Sequence, residues 1–271
     1  MKIIDLSERE EGAAVASGTV FSEGVLPSRC ERIIAGEHLM EVSINGAAAM
    51  RLVCTNEHLA ELVIGRLLSE GIAETSGDIR QIYICKRGDA AQVVLNRIPQ
   101  GTDPVCVETI GTCCTGNKVM TNAFLRGVPL PRLERIQWRP EWVTRAFREM
   151  ETAVPLFELT HGVHSCGLIH RGGLRFCCED IGRHNAVDKV IGCAVREGLE
   201  LRECILLSSG RIAADMAEKA ARAGIPVFAT TKSVTDAALR LASECGMTLV
   251  AYVREDRLTV LESVPDETSP E

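Results

Sequence analysis

Between positions 41 and 96 the apolar residues change rhythm along the chain. Two short apolar runs, 42–44 and 49–55, flank Asn45-Gly46, which predicts a β-hairpin with a tight turn. From Leu59 the spacing turns helical through Leu62, Val63, Arg66 and Leu67. That predicts a helix capped by Asn56, running to Glu70 and stopped by Gly71. Strand patterns return at 79–85 and 91–96, turned by Arg87-Gly88-Asp89. The order ββαββ describes a small α+β roll with its helix across one sheet face. Positions 98–133 then carry Pro99, Gly101, Pro104, Gly111, Gly116, Gly127, Pro129 and Pro131, a stretch too long and too punctuated to be an ordinary connection.

The second half alternates strand and helix patterns. A helix is expected over 140–153, strands at 163–170 and 174–178 around Arg171-Gly172-Gly173, and a helix from Arg183. Strands at 204–208, 227–230, 248–253 and 258–261 are separated by helices at 212–223 and 234–244, except for the last two, which are joined directly. Alternation of this kind implies parallel strands with helices on both faces. The chain therefore divides into 1–135, an α+β roll with a cysteine-bearing loop at about 98–133, then a 136–262 α/β domain, and a polar 263–271 tail read as disordered.

Composition narrows the class. The 271 residues are 46% hydrophobic and 25% charged, with a net charge of −7, which argues against general nucleic-acid binding. No secretory leader or membrane-length apolar run is visible, so a cytoplasmic location is expected. In that reducing setting most of the twelve cysteines read as small buried hydrophobes, with Cys54, Cys85, Cys193, Cys204 and Cys245 on apolar-periodic segments. Cys113 and Cys114 are different. They lie in Ile110-Gly-Thr-Cys-Cys-Thr-Gly116, a small-residue stretch without helix or strand period, where a thiol is reachable. Cys177-Cys178 ends a strand, so one of the pair should point inward.

The densest chemistry is Glu179-Asp-Ile-Gly-Arg-His-Asn-Ala-Val-Asp-Lys-Val190, where a strand meets an amphipathic helix. Its polar set is expected around the helix start and along the exposed flank. An ordinary solvated helix needs fewer donor and acceptor types at one end. Beyond the next strand, Leu207-Ser208-Ser209-Gly210-Arg211 reads as leading straight into a helix, with the parts of an anion cradle. Thr230-Thr231-Lys232-Ser233 repeats the design, with Ser233 and Asp236 as a candidate capping box. His164 and Cys166 would share a face of an extended segment, but no paired Cys-x-x-Cys or deaminase zinc signature accompanies them, and no metal is expected. Neither a dinucleotide fingerprint nor a P-loop is present.

The Glu179–Val190 run, Gly162-Val-His164, Leu207-Ser-Ser-Gly-Arg211 and Leu67-Leu-Ser-Glu-Gly71 resemble the formate dehydrogenase accessory sulfurtransferase family (FdhD) over about 31–261. The resemblance implies a cytoplasmic homodimer of α/β class, with a cytidine-deaminase-like three-layer α/β/α C-terminal domain lacking the deaminase zinc ligands. It further implies that sulfur is accepted from a cysteine desulfurase and passed to the molybdenum (or tungsten) bis-guanine-dinucleotide cofactor destined for formate dehydrogenase. The family loop Cys-Gly-x-Cys-Gly-Lys stands here as Cys113-Cys-Thr-Gly-Asn-Lys118. Aligning Lys118 sets Cys113 on the first family cysteine and Gly116 on the second, with Cys114 an extra neighbour.

The expected function is sulfur transfer through a persulfide on Cys113, with Cys114 beside it and Lys118 lowering the thiol pKa. His164, Arg183, His184, Asn185, Lys189, Ser209, Gly210 and Arg211 would line the cofactor pocket. The last hairpin, Tyr252-Val253-Arg254-Glu255-Asp256-Arg257, matches a cofactor-binding segment of the resembled family, and Tyr252 offers a ring for a guanine to stack on. A non-catalytic cofactor chaperone and a metal- or redox-binding protein are the alternatives from other classes.

Overall fold

Asn45 and Gly46 both hold positive φ, 50° and 84°, so the chain reverses in two residues. The computed structural model describes residues 1–8, 12–97, 108–110 and 129–262. Sheet one contains β1 (Lys2–Asp5), β4 (His38–Ile44), β5 (Ala47–Cys54), β6 (Ile79–Ile84), β7 (Ala90–Leu95) and β8 (Glu108–Ile110), in the order β1-β6-β7-β4-β5-β8. The predicted ββαββ roll is its centre: β4 and β5 are antiparallel, as are β6 and β7, and β4 pairs parallel with β7. A separate hairpin of β2 (Ala13–Ser22) and β3 (Val25–Ala35) stands apart as a two-stranded sheet. Nothing in the apolar rhythm announced it, because Phe21 and Leu26 are 78% and 87% exposed and neither face is cleanly buried.

The helix α1 (Leu59–Ser69) starts two residues later than the Asn56 cap implied. His58, at φ 53°, is its N-cap, and the Asn56 amide is buried without a hydrogen-bond partner among the described residues. Gly71 does end it, with φ 67° and with Ile72 N–H donating to Leu67 O at 2.8 Å. Every residue of α1 is buried, because a second helix covers the side that the first sheet leaves open.

That second helix belongs to sheet two. Its strands are β9 (His164–His170), β10 (Gly173–Asp180), β11 (Cys204–Ser208), β12 (Val227–Thr230), β13 (Thr248–Ala251) and β14 (Thr259–Leu261), ordered β10-β9-β11-β12-β13-β14. The middle three are parallel, as the alternation implied, and short turns make β9, β10 and β14 antiparallel to their neighbours. One face carries α2 (Pro140–Glu151), whose Val143, Ala146, Phe147 and Met150 pack with Ile205, Leu207, Val227 and Val250. After α3 (Pro155–Thr160), the opposite face carries α4 (Arg183–Arg196), α5 (Ala214–Arg222) and α6 (Asp236–Cys245). Their apolar side chains merge with those of α1 and sheet one into one core, from Met40 through Ile64 and Val190 to Leu249.

Two glycines set how closely α1 and α4 approach. A Cβ added at Gly65 would overlap the backbone of Asp188, and one at Gly192 would overlap the backbone of Glu61. Backbone cannot retreat as a flexible side chain can, so Gly65→Ala has to force the helices apart. We expect a loss of about 3 kcal/mol, the upper end of overpacking costs, in urea unfolding. Wild-type stability in Gly65→Ala would mean that the helices do not meet at this point.

Candidate functional site

The carboxyl ends of β10, β11, β12 and β13, with the start of β9, converge on one edge of sheet two. Ser209 is fixed there by a reciprocal pair: its N–H donates to Ser165 O, and its Oγ accepts from Ser165 N–H, both at 2.9 Å. Thr230 Oγ1 donates to Gly210 O at 2.7 Å and accepts from Lys232 N–H at 3.0 Å, joining the two neighbouring strand ends. Gly210 lies against Arg183, whose Cβ and Cδ would stand 3.5 Å from an added Cβ. Arg211 is exposed beyond it. The helix does not begin at once, as the sequence implied: Ile212 first bridges to Val234, and α5 opens at Ala214. Likewise α6 is capped by Thr235, whose Oγ1 accepts from Ala238 N–H at 3.2 Å, and not by Ser233.

The strand-to-helix junction splits into two groups. Arg183 and His184 stay on the rim, and His184 Nε2 donates to Asp215 Oδ2 at 2.8 Å. Burial lowers the His184 pKa despite the pull of Asp215, so the ring is neutral near pH 7; burial raises Asp215, but the hydrogen bonds from His184 and the Met216 N–H, with Arg183 nearby, together hold its carboxyl low. His164 is half-buried beside them, its pKa lowered by burial and then by Arg183 and His184.

The other group turns inward. Asp180, Asp188 and Lys189 are 0% exposed and Asn185 is 4% exposed, so the flank expected to face solvent, or to line a pocket at Asn185 and Lys189, is interior. Lys189 Nζ reaches Asp180 Oδ2 at 2.7 Å and Thr55 Oγ1 at 2.6 Å. Asn185 links two clusters, accepting from Arg66 at 2.9 Å and donating to Asp180 at 3.0 Å. Asp188 accepts from Ser69 at 2.6 Å and from Lys219 at 3.0 Å, and it forms an ion pair with Arg66 Nε at 2.9 Å without an aligned hydrogen bond. Glu70 completes the set with Arg66 at 2.9 Å and Lys219 at 2.8 Å. Partners from α1 and from Thr55, just after β5, make this interior placement possible, and they lie 119 residues or more from the junction in sequence. No local pattern could reveal them.

The last hairpin meets the same edge. Tyr252 N–H donates to Lys232 O at 3.0 Å and Val253 N–H to Thr230 O at 3.2 Å, while Arg254 Nη1 donates to Thr231 O at 2.6 Å. Arg254 N–H to Arg257 O, 2.8 Å, closes the turn through Glu255 and Asp256, both exposed as is Arg257. Tyr252 is half exposed and holds φ 54°, a conformation that costs a bulky residue energy and is kept where surrounding structure enforces it. Val253 departs from expectation, since its side chain belongs to the core.

Cys113, Cys114 and Lys118 lie outside the described residues. The described chain reaches β8, whose backbone pairs with Met50, Arg51 and Leu52, and resumes at Pro129. Among the other thiols, burial raises Cys166, and it pushes Cys177 up to about 12. Cys178 points inward, as one of the pair was expected to.

The two lowered histidines carry a pH signature. Their folded pKa values lie below the unfolded value of about 6.5, so the unfolded chain takes up protons first as the pH falls. The stability they contribute is complete above that value and is lost below it. His164→Gln should therefore lose less stability than wild type between pH 7.5 and 5.5; an equal loss in both would contradict the assignment. His58, whose pKa is raised, has the opposite sign but is common to both proteins.

Residues 35–265 match the sequence model of the FdhD/NarQ family. The chain is 31% identical over 243 residues to the sulfur carrier protein FdhD of Bacillus pumilus, covering 89% of this chain and 92% of the relative. To the protein of the same name from Listeria innocua it is 28% identical over 260 residues, with 95% and 97% covered. A crystal structure described as a formate dehydrogenase accessory protein from Desulfotalea psychrophila superposes with a TM-score of 0.75 at 25% identity, covering 93% of this chain and 97% of that one. Among the described residues, no helix is long and apolar enough to cross a membrane.

Proposed function

The chain belongs to the FdhD/NarQ family, and on that premise we propose that it is a cytoplasmic sulfur carrier serving formate dehydrogenase. The Cys113 thiolate attacks the outer sulfur of a cysteine desulfurase persulfide. The old S–S bond breaks, the desulfurase thiolate leaves, and the sulfur stays on Cys113 with no net change of oxidation state. Its destination is the molybdenum or tungsten bis-guanine-dinucleotide cofactor, carried as cargo, and the working unit is a homodimer. Sheet two, with helices on both faces, supports the reading of this half as a cytidine-deaminase-like frame turned to cargo binding.

The observation that carries the cargo assignment is the convergence of Arg183, Ser209, Gly210 and Arg211 with Lys232 and the Tyr252–Arg257 turn on one sheet edge. In a chain of net charge −7, a local group of cations is what a pyrophosphate requires. Gly210 lets Arg183 pack closely over the strand end, and the half-exposed Tyr252 ring is available for a base.

Guanosine diphosphate, used as a cofactor fragment, tests this in calorimetry. Arg211→Ala should raise its Kd about tenfold, as expected for loss of a charge-assisted contact. Tyr252→Ala should weaken it between several-fold and about a hundredfold, the range of a lost stacking contact, while leaving sulfur loading on Cys113 intact. Unchanged affinity in both variants would remove this edge as the nucleotide site.

A further inference from the structure

Three side chains from three different elements meet between β10, α4 and the head of α1. Cys178 on β10 and Cys193 on α4 bring their sulfurs to 3.7 Å, and His58 at the head of α1 joins them, all three ligand atoms lying within 4.8 Å of one another. We propose that His58, Cys178 and Cys193 form a binding site for a borderline-soft divalent cation, Zn²⁺ fitting best. Zn–S bonds of about 2.3 Å at a tetrahedral angle separate two thiolates by about 3.8 Å, close to the spacing already present. A disulfide needs its sulfurs at about 2.05 Å, so these thiols are placed as a chelating pair and not as a bridge.

The surroundings agree with that use. Cys178 and Cys193 are 3% and 8% exposed, whereas the His58 side chain is 35% exposed, which leaves a route for an ion from solvent. His58 holds φ 53°, left-handed backbone that a histidine adopts at a cost, and it thereby stands at the helix head facing the two thiols. Glu61 Oε2 lies 3.9 Å from His58 Nδ1, a carboxylate beside the imidazole of the kind that steadies a ligating ring. Binding would form two Zn–S bonds and one Zn–N bond, with thiol protons released to solvent and no electron transferred. Three protein ligands leave a fourth position for water or an incoming ligand. The ion would also tie α1 to β10 and α4. This inference is independent of sulfur loading on Cys113.

The test uses the untagged full-length chain, kept reduced, stripped with a chelator and titrated with Co²⁺. A thiolate-to-cobalt charge-transfer band should rise and saturate at about one ion per chain, and Zn²⁺ should displace it. Cys178→Ser and Cys193→Ser should each abolish the band, with circular dichroism reporting whether the variants fold. A Cys113→Ser/Cys114→Ser double variant should keep it. Should the serine variants misfold, X-ray absorption on the wild-type zinc complex decides, with two sulfurs and one histidine nitrogen expected around the metal. Absence of a band in wild type, a band indifferent to both serine changes, one lost with Cys113 and Cys114, or a metal shell without sulfur would each overturn the site.

Discussion

Cys113→Ala is expected to abolish maturation of formate dehydrogenase in cells that depend on this chain, whereas Cys114→Ala should weaken it less. Only a thiolate attacks sulfane sulfur, and no other side chain at position 113 holds it covalently. After incubation with a cysteine desulfurase and cysteine, mass spectrometry should place one added sulfur on the peptide containing Cys113 and Cys114. Two described thiols near the junction are poor competitors: Cys166 is fully buried, and Cys177 is held almost wholly protonated at neutral pH by a pKa of about 12. Cys193 has its pKa lowered to about 6, by its hydrogen bond with Cys178 and then by His58, but it is 8% exposed and out of reach of another protein's cysteine. Sulfur found only on Cys166, Cys177 or Cys178 would displace the loop from its role. Full activity in Cys113→Ala would instead mean that the chain holds the cofactor without passing sulfur to it.

Asp188→Ala should cost about 3–5 kcal/mol, the typical penalty for breaking a buried ion pair from one side. Asp188 is fully buried between Arg66 and Lys219, with the Ser69 hydroxyl donating to it at 2.6 Å. Its removal leaves two cations sharing Glu70, in an interior that water does not reach. Against a usual total stability of about 5–15 kcal/mol, the loss brings the fold close to its limit. Urea unfolding with far-ultraviolet circular dichroism measures it. A change below about 1 kcal/mol would show that Arg66 and Lys219 find other partners, and the network would then have little weight in stability.

Sequence and structure part company where partners are distant. Asn45-Gly46 sets its hairpin through its own backbone preferences, and Cys204–Ser208 and Arg183–Arg196 appear as read because local rhythm and burial agree there. The end of β11 before Ser209, Gly210 and Arg211 was legible because an apolar run that stops at small polar residues is recognisable locally. Asn185 and Lys189 were misplaced because their environment is made by Thr55 and Arg66, which no window around the junction contains. The start of α1 was missed because His58 supplies a left-handed turn that its residue type does not advertise. The pairing of Cys178 with Cys193 had no signal either, since one closes a strand pattern and the other sits on the apolar stripe of α4.

The charge inventory of the interior constrains how this protein can change over generations. Arg66, Lys189 and Lys219 face Glu70, Asp180 and Asp188, three cations to three carboxylates, all buried. A single charge-changing replacement of any of the six passes through an unbalanced interior, so each position accepts a residue of different charge only on backgrounds where another has already shifted. If the six codons are randomised together, surviving clones should concentrate in combinations of zero net charge. Their tolerated alphabet should be far wider than six separate one-position scans would show.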